Sequence, residues 1–399
     1  MTLYSKRSDA MAAGFLAAMK VSVASSFVSS LGINTHIDFN AFGYQDLSRT
    51  AQAINYLGLK NLRDSGMKST DTQSWLYVAN ATGAKFDDFM PEGSPADLQN
   101  ALGLAPMLAA EGVLNYLEGG NEEDDPYASG RGNSLTWTAQ FQQQVYQVGH
   151  SLGLPVINMS FGSGWTASNN WQGNYGAVGD LSAYADYANA HTYPLPGKTP
   201  DWTTQHLNRL AALAAKTRPI MITEFGWNEG RGFGQQEIAK ALLNAALDSW
   251  KDGNAKIYFY ALYDDKAGRF GLMNQDGTPK PAGTALHNLV AILTDHDPDP
   301  TNFQPKQLNY TLSAMTADDN SLLFGKADGS FWLSLWNEQQ TPGTTHTVTL
   351  ELPLSTARIT IYDPLQGPTG QRDQTHTSSI QISVPDHPVL VEIIPDTSP

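Results

Sequence analysis

Two stretches of the chain place carboxylates where chemistry can use them. The first is VLNYLEGGNEEDDP, residues 113–126, in which Glu118, Glu122, Glu123, Asp124 and Asp125 crowd a short segment. The second is PIMITEFGW, residues 219–227, with Glu224 inside it. Like charges so close repel, so the first cluster needs a reason. It is a solvated acidic loop, a metal site, or the end of a strand presenting a catalytic acid. On the last reading Glu224 supplies a partner. Two carboxyls flanking one bond can divide the work of a bond cleavage. One is kept protonated to donate to a leaving oxygen, and the other stays ionised to attack.

A scaffold must hold such residues. From about residue 30 to 290 short β-type runs alternate with helical stretches. The runs are LGINTHIDF, KNLRDS, AKFDDFM, VLNYLEGG, PVINMSFG, YANAHTYP, PIMITEFGW and KIYFYALYDD. Helical segments between them include YQDLSRTAQAINYLG, which stops at Gly58, and QQEIAKALLNAALDSWKDG, which stops at Gly253. Alternation of this kind indicates parallel βαβ units. About eight of them in roughly 260 residues predict an α/β fold, a (β/α)8 TIM barrel over residues 31–295. An open doubly wound sheet is the rival, and no Gly-rich dinucleotide fingerprint follows the first strand to support it. HDPDPTNFQP, residues 296–305, reads as a linker. Beyond it helical periodicity stops, and residues 301–399 read as a C-terminal antiparallel β-sandwich. Its first hairpin turns at Asp328-Gly329, and Trp332 and Trp336, on one face, are expected in the sandwich core. Residues 1–30 read as a signal segment with a broken apolar core or as a lead-in helix.

The composition narrows the function classes. The chain has 399 residues and no cysteine, which excludes disulfides, thiolate metal sites and cysteine nucleophiles. A formal charge of −15 argues against nucleic acid and anionic membranes as partners. No apolar run has the length of a membrane-spanning helix. With nine Trp and sixteen Tyr the mix suits a secreted, sugar-binding protein, so an extracellular or periplasmic location is expected; a monomer is expected too.

In a parallel barrel, function gathers at the C-terminal ends of the strands. The fourth run ends GGNE and the seventh ITEFGW, which sets Asn121-Glu122 and Glu224 across the barrel mouth from each other. With these motifs the chain resembles clan A glycoside hydrolases, in particular family 39 and its polysaccharide-degrading relatives. The resemblance spans roughly residues 27–290. FVSSLGINTH looks like the first strand, YLGLKNLRDS the second with Arg63 near its tip, and HTYP the sixth-strand tip. FGLMNQDGTPKPAGTAL resembles the segment after strand eight. The resemblance implies Glu122 as acid/base and Glu224 as nucleophile of a retaining glycosidase that needs no cofactor. Trp-rich loops suggest a cleft for several sugar units, hence endo-action on a β-linked, bacterial polysaccharide; an exo-acting β-xylosidase-like enzyme, a kind the family also contains, is the alternative. Two features depart from the family pattern. Position 123 is Glu where Pro is usual, and YALYDD replaces a Trp after strand eight, so Tyr263 is the expected substitute platform.

Supporting residues carry two readings each. Asn121 binds the sugar 2-hydroxyl or caps a helix. Arg63 holds Glu224 ionised or pairs with Asp64. His191 and Tyr193 touch substrate or orient the nucleophile. His36 is expected to bind a sugar hydroxyl, with Asp38 supporting the fold. Trp165, Trp171, Tyr175 and Trp227 offer rings for stacking on sugar faces. Glu123, Asp124 and Asp125 are expected to be the exposed start of a loop, where water screens their repulsion. Two other classes stay open: a metal-dependent barrel hydrolase using His36, Asp38, His191 and Asp264, and a glycan-binding barrel without catalysis.

Overall fold

The computed structural model describes residues 20–66, 71–124, 134–163, 166, 168, 170–194, 197–338, 343–353 and 357–395. The chain divides into two compact units. One is Ser25–Thr294 with Pro364–Pro368, and the other takes the described residues up to Ala24, Asp295–Asp363, and those from Thr369 onward.

The first unit is the barrel. A two-residue strand, β1 (Ser22–Val23), and a short helix, α1 (Ala24–Val28), precede its first strand. The barrel strands are β2 (Leu31–Asn34), β3 (Asn61–Asp64), β4 (Lys85–Met90), β5 (Leu114–Gly120), β6 (Val156–Ile157), β7 (Met221–Phe225) and β8 (Lys256–Phe259). All pair in parallel, in the order β6-β5-β4-β3-β2-β8-β7. The gap between β6 and β7 is spanned by single parallel bridges from Tyr187 to Ile157, Ala188 to Ile220 and His191 to Glu224. The run YANAHTYP thus holds the eighth position without forming a regular ladder. Asn189 is the reason. Its amide donates to the Asn158 carbonyl and accepts the Thr223 N–H, so a side chain stands in for ladder bonds.

Helices α2 (Leu47–Leu57), α3 (Asp71–Thr82), α4 (Pro95–Ala110), α5 (Leu135–Ser151), α6 (Pro200–Ala214), α7 (Gln235–Lys251) and α8 (Pro281–Leu293) complete the units. Their ends follow local chemistry. Asp46 caps α2 and Gly58 ends it with φ +74°. Ser94 and Asp97 form a capping box on α4, with Pro95 at its first position. Close approach fixes one glycine: a Cβ on Gly119 in β5 would lie 2.0 Å from the Gln142 side chain and 2.8 Å from the Met159 nitrogen.

The second unit contains two sheets, β1-β10-β11-β16-β13-β14 and β15-β12-β9. Their strands are β9 (Thr311–Ser313), β10 (Asp319–Gly325), β11 (Phe331–Asn337), β12 (His346–Glu351), β13 (Ala357–Tyr362), β14 (Arg372–Gln374), β15 (Ser379–Val384) and β16 (Val389–Pro395). Leu333 and Leu335 of β11 join Val348, Leu350, Ile380 and Ile382 in the core between the sheets. The tryptophans depart from the expectation. Successive residues of a strand point to opposite faces, so Trp332 and Trp336 are buried on the face turned away from that core. Trp332 packs there against Tyr362 and under the Lys326 ammonium.

Buried acids mark the barrel. Asp88 of β4 is fully buried and accepts the Gly66 N–H at 3.0 Å. Burial pushes its pKa up to about 8. The folded state therefore keeps a proton that the unfolded chain releases near pH 4. Stability from this group is complete below that pH and is lost as the pH rises toward 8, by at most about 1.4 kcal/mol per unit. Buried His191 has the opposite sign, because the unfolded chain binds its proton first, and that loss falls between pH 6.5 and about 4. In Asp88→Asn the amide reproduces the neutral acid. Its melting temperature, followed by calorimetry from pH 5 to pH 8, should fall less than that of the wild type. Parallel curves would show that Asp88 is already ionised in the folded state.

Candidate active site

The strand tips converge on a buried guanidinium. Arg63, on β3, is 1% exposed. Its Nε and Nη2 donate to the two oxygens of Glu118 at 2.9 and 2.7 Å. Nη2 also donates to Asn121 Oδ1 at 2.7 Å, and Nη1 donates to Asn34 Oδ1 at 2.9 Å and to Glu224 Oε2 at 3.1 Å. A guanidinium has five N–H groups, and here each has a partner. Burial alone would lower the Arg63 pKa, but Glu118 and Glu224 outweigh it and hold the group charged. Asp64 does not pair with Arg63. Its carboxyl accepts from the Thr35 hydroxyl and from the backbone of Ile37 and Ser65.

Glu118 is the counterpart. It is fully buried and also accepts from Asn189 and Thr223. Burial would raise its pKa, but Arg63 overrides that and lowers it, so Glu118 is an anion inside the barrel.

The two expected catalytic carboxyls meet at His191. One oxygen each of Glu122 and Glu224 and a nitrogen of His191 all lie within 4.8 Å of one another. His191 Nδ1 is 3.2 Å from Glu122 Oε1 and 3.6 Å from Glu224 Oε2, and its Nε2 is 2.8 Å from the Thr223 hydroxyl. Burial pushes the His191 pKa down to about 4. Glu224 accepts from Arg63 and from the Tyr193 hydroxyl. Burial and then the charge of Glu224 raise the Tyr193 pKa well above its usual value, so it stays a donor. Glu122 follows the end of β5 with φ +48°, a conformation rare outside glycine, and its N–H donates to Ser160. Strained backbone of this kind costs about 1–3 kcal/mol and gathers at functional sites.

Several expected substrate contacts turn out otherwise. Arg63 has no donor left for a sugar, since its five N–H groups are taken. Tyr263 is fully buried, with its ring against Tyr44 at 4.9 Å, so it offers no stacking face. Trp227 is 5% exposed and packs on Phe225. Tyr175 is buried and its hydroxyl accepts the N–H groups of Phe161 and His191. Trp165 lies outside the described residues. Trp171 is 58% exposed. Asn121 caps no helix: its amide accepts from Arg63 and donates to Glu92.

His36 borders the pocket from a second cluster. Its Nε2 is 3.0 Å from the Tyr260 hydroxyl and 3.3 Å from Asp265, and its ring stacks on Phe39. Asp38 and Asp64 beside it are both raised, first by burial, and share a hydrogen bond. The four residues of the metal-dependent alternative do not meet. His36 groups with Asp38 and Asp64, His191 with Glu122 and Glu224, and Asp264 is paired with Lys280 at 2.8 Å.

The acidic cluster also departs from its expected solvation. Glu123 is fully buried and Asp124 is 7% exposed. Asp124 accepts from Gly162, from Ser163 and, at 2.6 Å, from Asn174, which compensates its burial. Asp125 lies outside the described residues.

Three neighbours were not singled out from the sequence. Tyr260, just after β8, packs its ring beside Tyr193 and Phe270. Thr223 directly precedes Glu224. Glu92 follows the tip of β4, where burial and then Glu122 and Glu224 raise its pKa to about 7. Asking what every strand tip carries, and not only the fourth and seventh, would have found Glu92.

The glycosyl hydrolase catalytic core family matches residues 128–286. Glu224 lies within the matched span and Glu122 just before it. The GH39 enzyme of Xanthomonas axonopodis pv. citri is 12% identical, with a TM-score of 0.60 over 94% of this chain and 95% of that one. A monomeric β-xylosidase of Caulobacter crescentus CB15 is 11% identical, with a TM-score of 0.61 over 92% of this chain and 96% of that one. Both likenesses are ones of fold. Among curated proteins, pH-responsive protein 1 of Candida albicans is 27% identical over 124 residues, which is 31% of this chain and 20% of that protein. The match therefore spans about a fifth of that relative's length.

Arg63→Lys keeps the charge but offers three donors in place of five. At least two of the five contacts are then lost, and the shorter, differently shaped ammonium cannot reach Glu118 and Glu224 as the planar fork does. Breaking a buried ion pair costs about 3–5 kcal/mol. Urea titration of this variant should show a loss of that order, and a change below about 1 kcal/mol would mean that the network tolerates the loss.

Proposed function

We propose that the protein is a retaining, endo-acting glycosidase on β-linked polysaccharide, working as a monomer outside the cytoplasm. The supporting observation is the short separation of Glu122 and Glu224, whose nearer oxygens lie within 4.8 Å. Retaining enzymes hold their carboxyls about 5–5.5 Å apart, whereas inverting ones leave about 6.5–9.5 Å for a water. The roles follow from the partners. Glu224 is met by the Arg63 cation and the Tyr193 hydroxyl, which favour its ionised, nucleophilic form. Glu122 is half-buried, with its Oε1 3.2 Å from Nδ1 of neutral His191, and serves as acid and then base.

In the first step Glu224 bonds to the anomeric carbon, the bond to the leaving oxygen breaks, and Glu122 gives that oxygen its proton. In the second, water attacks the same carbon, the bond to Glu224 breaks, and Glu122 takes the water's proton. Trp171, the exposed tryptophan among the described residues, lies in the loop after β6 and gives a sugar beyond the cleavage point a face to stack on.

Glu224→Gln should abolish turnover, because an amide is a poor nucleophile. Glu122→Ala should slow substrates with poor leaving groups most, and azide should restore part of the rate. Near-normal rates in the first variant, or no azide effect in the second, would remove those roles, provided circular dichroism shows both variants folded. NMR of the first-formed anomer from a β-glycan panel tests retention. Release of single sugars from chain ends alone would replace the endo reading with the exo, β-xylosidase-like one.

A further inference from the structure

We infer that Thr223 fixes the tautomer of His191 and thereby keeps the proton on Glu122, an inference that rests on the acid/base reading of Glu122. Thr223 is fully buried on β7. Its Oγ1 is 3.1 Å from Glu118 Oε1 and 2.8 Å from His191 Nε2. A hydroxyl has one proton to give. Glu118, held as an anion by Arg63, can only accept, so that proton goes to Glu118. If it went to His191 instead, the hydroxyl oxygen would face a carboxylate oxygen with no proton between them. Oγ1 therefore accepts from His191, and the ring carries its hydrogen on Nε2.

A neutral imidazole has one N–H, so Nδ1 presents a lone pair. That lone pair lies 3.2 Å from Glu122 Oε1. A hydrogen bond there requires the proton to sit on Glu122. The burial that keeps His191 neutral supports the same assignment. Glu224 is treated differently although Nδ1 is only 3.6 Å away, because Arg63 and Tyr193 donate to it. The ionisable groups facing this ring are Glu118 and Glu122 from β5 and its end, Glu224 from β7, and Arg63 from β3. Glu92 stands one residue farther out, through Asn121.

The arrangement serves both chemical steps. Before cleavage the glycosidic oxygen competes with Nδ1 for the Glu122 proton and takes it as its bond to the anomeric carbon breaks. Glu122, now ionised, then faces an unshared pair on Nδ1. That contact favours recovery of a proton from the attacking water. Thr223 touches no substrate in this scheme and is a positioning residue.

Thr223→Val keeps the side-chain shape and removes the hydroxyl. His191 can then carry its hydrogen on Nδ1 and donate it to Glu122, which favours the ionised carboxyl. The basic limb of the kcat/KM–pH profile should move down by about one unit. Aryl glycosides with poor leaving groups should slow about tenfold more than those with good ones, and Thr223→Ser should restore both. Nitrogen-15 NMR of histidine-labelled protein reads the tautomer without turnover. One ring of the nine histidines should change from the Nε2–H to the Nδ1–H form in the valine variant. Thr223→Ala serves the same comparison if valine does not pack. No tautomer change overturns the inference. A tautomer change in an active enzyme whose pH limb stays fixed overturns the link to Glu122. A tautomer change in a protein that cleaves no glycan supports the Thr223–His191 assignment and removes the acid/base reading instead.

Discussion

One buried cation organises the mouth of this barrel. Taking a guanidinium out of water costs several kcal/mol unless its charge and all its donors are met. Arg63 meets that condition by drawing Asn34 from β2, Glu118 from β5, Asn121 from the end of β5 and Glu224 from β7 onto one plane of N–H groups. Its face lies 4.1 Å from the Phe89 ring centre. The strand ends are thus spaced by the geometry of one side chain. Glu118 makes the arrangement permissible, because it neutralises the cation from the barrel interior and leaves an Nη1 hydrogen for Glu224.

The same network explains how carboxyls in one pocket come to differ. Glu92, Glu122 and Glu224 are near neighbours, so their mutual repulsion disfavours full ionisation. Donors decide which one holds its charge. Glu224 has Arg63 and Tyr193, and Glu92 has a neutral amide and is pushed to about 7. Glu122 has the ring nitrogen of a neutral histidine. Their partners set them apart. The difference between these carboxyls is therefore a property of the surrounding hydrogen bonds more than of position in the cleft.

Much of the scaffold was legible because it is written in short-range patterns. Strand and helix periodicities marked the barrel strands, and Gly58 and Gly253 marked helix ends where the structure has left-handed glycines. Glu122 and Glu224 could be placed because a barrel sends the ends of its strands to one mouth. Contacts across the barrel were a different matter. Nothing local to Arg63 distinguishes Glu118 and Glu224, 55 and 161 residues away, from adjacent Asp64. Tyr263 and Tyr260 are three residues apart on one segment, and only packing reveals that Tyr263 turns inward to Tyr44 while Tyr260 borders the pocket. Thr223 looked like an ordinary β-branched strand residue, because its role depends on a proton count around a histidine that belongs to another strand position.

The acidic run NEEDDP shows why charge density alone misleads. Four acids in a row suggested solvation, since water screens repulsion cheaply. The structure uses hydrogen bonds instead. Asp124 ties the loop after β5 to Gly162, Ser163 and Asn174 beyond β6, and Glu123 is buried beneath Gly120. Between these two anchors and the strand end, the Glu122 backbone has little freedom and is held in its left-handed conformation. A carboxyl on a free acidic loop would sample many positions and meet His191 only part of the time. Burying Glu123 and Asp124 on its C-terminal side keeps Glu122 in place, so the crowding that looked like a liability in the sequence is what holds its carboxyl against His191.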